Sequence, residues 1–177
     1  MKTATNKPTK FDIEHERLPN RCLVDTGVFI RALGYHDDEH RLPCVAFFEA
    51  MLQTQGKQIL LAAPVLAELI RGGPDREIPR TPHVAPVSFD LHAARICGKE
   101  MPPNILRRFA NGPYRLTYLK YDAMIVACAK RWEAECIVAI DTDHHKLASH
   151  VNIPVHHPRE FRRAQMPLFS PTRPTSP

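Results

Sequence analysis

Four carboxylates occupy positions in the sequence where a charge is costly. Asp25 and Asp141 each follow a short apolar run, and Glu68 and Asp122 lie within the largely apolar stretches PVLAELI and YDAMIVACA. A charge in such surroundings is unfavourable unless it is paired or holds a metal. Carboxylate oxygens suit hard cations such as Mg²⁺ or Mn²⁺ better than zinc, which prefers Cys and His. The four acids therefore predict a site for one or two divalent cations.

Each acid taken singly also fits an ordinary structural role. Aspartate is a favoured N-cap of helices, and this interpretation is open for Asp25, Asp122 and Asp141. Glu68 could instead form a buried ion pair with Arg71 or another arginine. The metal interpretation depends on the four acids meeting in one place.

The elements that must position these acids follow from hydrophobic patterning. Continuous apolar runs predict buried strands at Cys22–Val24, Gln58–Ala62 and Cys136–Ile140, with weaker strands at Val84–Phe89 and Ile153–Val155. Helical patterns lie between them at Val28–Leu33, Pro43–Gln53, Pro64–Arg71, Leu91–Lys99, Asp122–Glu133 and His144–His150. Apolar strands that alternate with helices predict an α/β fold, a three-layer α/β/α sandwich with a central parallel sheet of four to five strands.

This architecture bears directly on the acids. In open parallel sheets, ligands bind in the crevice outside the carboxyl ends of the strands. Asp25 and Asp141 each come at the end of a predicted strand, so we expect both to point into one crevice.

The segments VDTGVFI, PVLAELIRG, YDAMIVACA and VAIDTDHHKL, in this order, resemble the four signature segments of PIN-domain nucleases. The resemblance extends from about Arg21 to Pro158. It implies that the catalytic acids, which are also metal ligands, are Asp25, Glu68, Asp122 and Asp141, with Asp143 as an additional metal ligand. Thr26 resembles the small hydroxylic residue that commonly follows the first aspartate and helps to position metal or water.

What the resemblance implies is a Mg²⁺- or Mn²⁺-dependent endoribonuclease, with the toxin of a toxin–antitoxin pair as one interpretation. An antitoxin protein and a second copy of the chain, forming a homodimer, are then the expected partners. One departure is Ala139, at a position where relatives often carry Ser, Thr or Asn. This departure favours a second hypothesis, a non-catalytic PIN module that binds nucleic acid or protein.

The charge of the chain gives weak support to an anionic partner. The formal net charge is +5 and the isoelectric point is near 9.1, which favours nucleic acid. We expect single-stranded or structured RNA to lie along basic residues, for which the candidates are Arg71, Arg107, Arg108, Lys120 and Arg131.

Cysteine and histidine give no competing site. Five scattered cysteines without a C-x-x-C pair argue against disulfides and a zinc ribbon, and are expected to be buried. His36 and His40 flank an acidic turn, and the later histidines lack cysteine partners. No apolar run approaches the roughly 18–20 residues that cross a bilayer, so we expect no membrane association and a cytoplasmic location.

We predict a flexible N-terminal arm over residues 1–19, a nuclease-like domain over 20–158 and a basic, Pro-rich tail over 159–177. The tail contains QMPLF, which resembles the peptide that binds the bacterial sliding clamp, with Gln165, Leu168 and Phe169 as its anchors. This motif supports a third hypothesis, a DNA-directed nuclease recruited by the clamp. Alternatively, the two apolar side chains fold back onto the domain.

Overall fold

Five parallel strands form one central sheet. They are β1 (Arg21–Val24), β2 (Gln58–Ala62), β3 (Val84–Val87), β4 (Cys136–Val138) and β5 (Val155–His156), in the spatial order β3-β2-β1-β4-β5. The computed structural model describes residues 11–73, 78, 80–110, 113–141 and 143–163, except the side chains of 113–115 and 143–145. The parallel α/β fold predicted from the sequence is confirmed.

The strand order sets where a ligand can bind. The chain adds strands on one side of β1 as far as β3, then crosses to the other side to add β4 and β5. The order reverses between β1 and β4, where Leu23 lies beside Ile137 and Val24 beside Val138. A crevice opens at such a switch point, outside the carboxyl ends of the two strands.

In the described residues, seven α-helices connect and cover the strands. They are α1 (Thr26–Ala32), α2 (Arg41–Gln53), α3 (Ala63–Arg71), α4 (Leu91–Glu100), α5 (Pro103–Phe109), α6 (Pro113–Arg131) and α7 (Asp143–His150). The sequence patterns missed α5, and they started α6 at Asp122, nine residues too late. The strand predicted over Cys136–Ile140 also ends earlier, at Val138. No helix in the described part of the chain is long and apolar enough to cross a membrane.

The core lies between the sheet and its helices. Leu23 and Ile137 from the sheet have no exposed surface, and neither does Val126 from α6. Leucine and isoleucine on a strand covered on both faces each contribute about 1.5–3 kcal/mol of burial free energy. The predicted burial of α6 is confirmed for Ala123 and from Ile125 to Ala129, whereas Lys130 is exposed.

The two ends of the described chain pack against each other. The N–H of Glu14 donates to the carbonyl of Phe161 at 2.9 Å, and Ile13 bridges Arg162 in antiparallel fashion. The Phe161 ring lies 5.0 Å from that of Phe47 in α2. Ile13 and Leu18 are both buried, so part of the stretch predicted as an arm contributes to the core.

Candidate active site

Asp25 lies at the switch point of the sheet. Its N–H donates to the carbonyl of Val138 at 3.0 Å, which joins the carboxyl ends of β1 and β4. Its Oδ2 accepts the N–H of Gly27 at 3.2 Å, so Asp25 is the N-cap of α1. The capping role considered from the sequence is therefore present. Among the described residues, Asp25 is the only polar or charged one that is buried, with 8% of its surface exposed.

A hydrogen bond joins the segment that follows β1 to α3. The hydroxyl of Thr26, at the first position of α1, donates to Oε2 of Glu68. This contact links residues 42 positions apart in the sequence. It holds the Glu68 carboxylate beside the residue that follows Asp25, so the structure brings the first and second acidic segments together.

The predicted alternative for Glu68, an ion pair with Arg71, does not form among the described residues. Arg71 lies against the ring of Tyr121 in α6, with its guanidinium carbon 5.9 Å from the ring centroid. This contact brings the end of α3 to the residue directly before Asp122. Asp122 itself is in the interior of α6 and is half-buried. Its predicted role as an N-cap is wrong, because the helix begins at Pro113.

Asp141 is exposed and follows β4 by three residues. The residue before it, Ile140, borders the first turn of α1: a Cβ placed on Gly27 would lie 4.0 Å from Ile140 Cδ1 and 3.4 Å from Asp25 Oδ2. Asp143 begins α7, but its side chain lies outside the described residues. Ala139 is buried, and its N–H donates to the carbonyl of His156 at 3.1 Å.

The donor chemistry of these residues fits a hard divalent cation, because Asp25, Glu68, Asp122 and Asp141 offer carboxylate oxygens. In the described part of the chain, however, no group of three or more His, Cys, Asp or Glu side chains is arranged to hold a metal ion. Within the described residues, the first and second acidic segments are brought together at the switch point, and a closed set of metal ligands is not formed.

Arg31 is a neighbour of Asp25 that the sequence analysis missed. Its Nη1 donates to the carbonyl of Gly27 at 3.0 Å, and its Nε donates to both carboxylate oxygens of Asp38, at 2.9 and 3.0 Å. The hydrogen bond from Arg31 holds the pKa of Asp38 well below its usual range. Arg31 therefore places a guanidinium, already paired with the Asp38 carboxylate, beside the first turn of α1. Gly27 and Arg31 are about one helical turn apart, and this spacing is the feature of the sequence that could have indicated their contact.

The predicted basic residues occupy different parts of the surface. Arg107 and Arg108 are exposed in the last turn of α5, and Lys120 is exposed on α6. Arg131 donates to Asp90 Oδ2 at 2.9 Å and lies over the Trp132 ring at 4.7 Å. Nine residues of helix, about 13 Å, separate Arg131 from Asp122, and Asp90, the partner of Arg131, follows the carboxyl end of β3 by three residues. The segment Gln165–Phe169 lies outside the described residues.

Cysteine and histidine chemistry does not compete with this site. Burial raises the pKa of all five cysteine thiols, and none is in a disulfide. Four of them are buried, as predicted, and Cys97 is half-buried. His40 contacts His157, with Nδ1 and Nε2 3.2 Å apart.

Comparisons with known proteins agree with this architecture. A protein-family model described as PIN domain matches residues 22–149. A solved structure of VapBC2 from Rickettsia felis, bound to a DNA fragment from their promoter, superposes with a TM-score of 0.53 at 16% identity, covering 77% of this chain and 97% of that one. The structure of DNA-bound VapBC from Salmonella typhimurium superposes with a TM-score of 0.51 at 17% identity, covering 78% of this chain and 98% of that one. No curated protein matches the sequence.

Proposed function

Because the chain belongs to the PIN-domain family, a family of nucleases, we propose that it is a metal-dependent endoribonuclease. The substrate would be RNA, cut at internal phosphodiester bonds beside Asp25, Glu68, Asp122 and Asp141. The observation that carries the proposal is the contact between Thr26 and Glu68 next to the buried Asp25, at the switch point of the sheet.

The four acids would hold one or two Mg²⁺ or Mn²⁺ ions, with Asp143 as a further ligand. When bound, such a cation activates water for attack on phosphorus and neutralises charge on the leaving oxygen. The residues of the chain contribute by holding the acidic side chains in position. Asp25 is fixed by the N-terminus of α1 and by β4, and the Thr26 hydroxyl orients Glu68.

Substrate would approach along the basic residues near the carboxyl edge of the sheet. Arg71, Arg107, Arg108 and Lys120 are exposed on α3, α5 and α6, and each can pair with a phosphate. Loss of one phosphate contact should weaken binding of all sequences alike and reduce the dependence of affinity on salt. We assign no phosphate contact to Arg131, because Asp90 already pairs with it.

The test is cleavage of single-stranded RNA and DNA of the same sequence, each labelled internally and at one end, with Mn²⁺, Mg²⁺ or EDTA. The proposal expects internal cuts in RNA that require metal. Preference for DNA would support the third hypothesis instead, the DNA-directed nuclease. No cleavage of either substrate under any condition would favour a non-catalytic binding module.

We further propose that the chain is the toxin of a toxin–antitoxin pair. The support is the shared fold with the two VapBC structures, each of which is bound to DNA. Expression of the chain alone should arrest bacterial growth, and expression of its Asp25→Asn variant should not. Equal growth of both cultures would count against a toxin. A homodimer and a clamp contact through Gln165, Leu168 and Phe169 stay predictions.

A further inference from the structure

A cavity lies at the amino ends of the parallel strands, at the opposite end of the sheet from the acidic residues. It has a volume of about 580 Å³ and is lined in part by Arg21, Gly56, Lys57, Pro82 and His83. These residues lie at or just before the first residues of β1, β2 and β3. Four strand residues, about 13 Å, separate the Cα atoms of Arg21 and Asp25. The cavity is therefore distinct from the proposed nuclease site.

Two cations on its wall lack an acidic partner. The Nε of Arg21 is buried and has no hydrogen-bond partner, and Arg21 forms no ion pair within the described residues. The Lys57 ammonium donates to two uncharged oxygens, the carbonyl of Leu18 at 2.6 Å and Asn20 Oδ1 at 3.1 Å. A buried donor without an acceptor is unfavourable in a folded protein. The buried Nε itself is closed to a ligand, but the guanidinium charge of Arg21 and the ammonium charge of Lys57 are left for an anion in the cavity to balance.

Neighbouring groups do not cancel this charge. The nearby acid Glu135 accepts from the N–H and the side-chain amide of Asn20, both at 3.0 Å, and pairs with neither cation. The helix α2 ends three residues before Gly56, and the carbonyls at a helix C-terminus carry roughly half a negative charge. Glu135 brings one full negative charge close to the cavity, and together with half a charge from the helix end it offsets about one and a half of the two positive charges. A net positive charge is left in the cavity.

The rest of the wall is suited to an organic group. The cavity lies within the range of roughly 300–1,000 Å³ that small-ligand sites occupy, so a bare phosphate would leave part of it to water. Pro82 and His83 are among the residues that line it. His83 Nδ1 lies 3.0 Å from the carbonyl of Lys57. Because a carbonyl only accepts, Nδ1 carries the proton and the ring is held in place.

We propose that this cavity binds a nucleoside monophosphate, with its phosphate at Arg21 and Lys57 and its base against Pro82 and His83. The guanidinium of Arg21 presents a planar set of donors that matches phosphate oxygens. Lys57 adds a second positive charge. The inference is independent of the nuclease proposal, because it uses none of the four acids.

The experiment is isothermal titration calorimetry of the full chain in EDTA, with adenosine 5′-monophosphate, inorganic phosphate and adenosine as probes. We expect the nucleotide to bind at least tenfold more tightly than either of its parts. Arg21→Gln should reduce nucleotide affinity at least tenfold, and Arg21→Lys should retain most of it. Arg95→Gln, which removes the same charge from an exposed position on α4, should bind like the parent chain.

Two readouts separate binding from folding. Arg21→Gln removes a buried donor that has no partner, so its melting temperature should stay close to that of the parent chain. Asp25→Asn should leave nucleotide affinity unchanged, whether or not the nuclease proposal holds. Absence of nucleotide binding up to millimolar concentration, or equal affinity in Arg21→Gln and Arg95→Gln, would overturn the inference.

Discussion

Replacing Thr26 with valine removes the hydrogen bond that joins α1 to α3 and leaves the shape of the side chain almost unchanged. The bond is donated to a carboxylate and is part-buried. Hydrogen bonds to charged groups contribute about 1.5–3 kcal/mol, and we take the lower end because water reaches the half-buried Glu68. We therefore expect Thr26→Val to lose about 1.5 kcal/mol of unfolding free energy, or about 3–6 °C in melting temperature.

The assay is urea denaturation of the parent chain, Thr26→Val and Thr26→Ser, with the midpoint compared at constant slope. Serine keeps the hydroxyl, so it should retain most of the stability. A double-mutant cycle with Glu68→Met isolates the pair, and a coupling of about 1 kcal/mol is expected. If valine and serine variants are equally stable, or if the two substitutions are additive, the contact does not stabilise the fold as argued.

Three further predictions concern other parts of the fold. Asp90→Ala removes the N-cap of α4 and should lower stability by about 1 kcal/mol in thermal unfolding, whereas Asp90→Asn should keep most of it. Burial and the neighbouring His40 lower the pKa of His157 from its ordinary 6.5. Stability should therefore fall as the pH drops below about 6.5 toward the folded-state pKa, and His157→Asn should flatten this part of a pH–denaturation profile. Leu23→Ala in the fully buried centre of the sheet should cost about 3 kcal/mol in urea denaturation, whereas Leu91→Ala at an exposed position should cost under about 0.5 kcal/mol.

Sequence patterns predicted the sheet well because its strands are buried on both faces. The run from Gln58 to Ala62 matches β2 at both ends, because the turn residues that bound the apolar run fix where the strand begins and ends. The patterns failed before Asp122, where α6 begins with PYRLTYLKY. Polar and aromatic residues alternate there without a clear helical stripe, and the helix is supported by tertiary packing.

The candidate site was predictable in its residue types and less so in its contacts. That Asp25 ends β1 follows from the apolar run before it. The hydrogen bond between Thr26 and Glu68 spans 42 residues, so no local pattern reports it. Arg31 was missed because its partner, Asp38, lies in the acidic turn after α1, for which the sequence predicted no contact.

The central claim is that the acidic crevice at the switch point cleaves RNA. The most direct test compares RNA cleavage by Asp25→Asn and Asp90→Asn under the metal condition in which the parent chain is most active. Both positions are helix N-caps, and asparagine caps as well as aspartate does, so each variant should fold. Asp90→Asn also loses the exposed ion pair with Arg131, which should cost little stability. The account predicts at least about a 100-fold loss of rate in Asp25→Asn, equivalent to about 2.7 kcal/mol, and parent-like cleavage in Asp90→Asn. Equal rates in the two variants would contradict it.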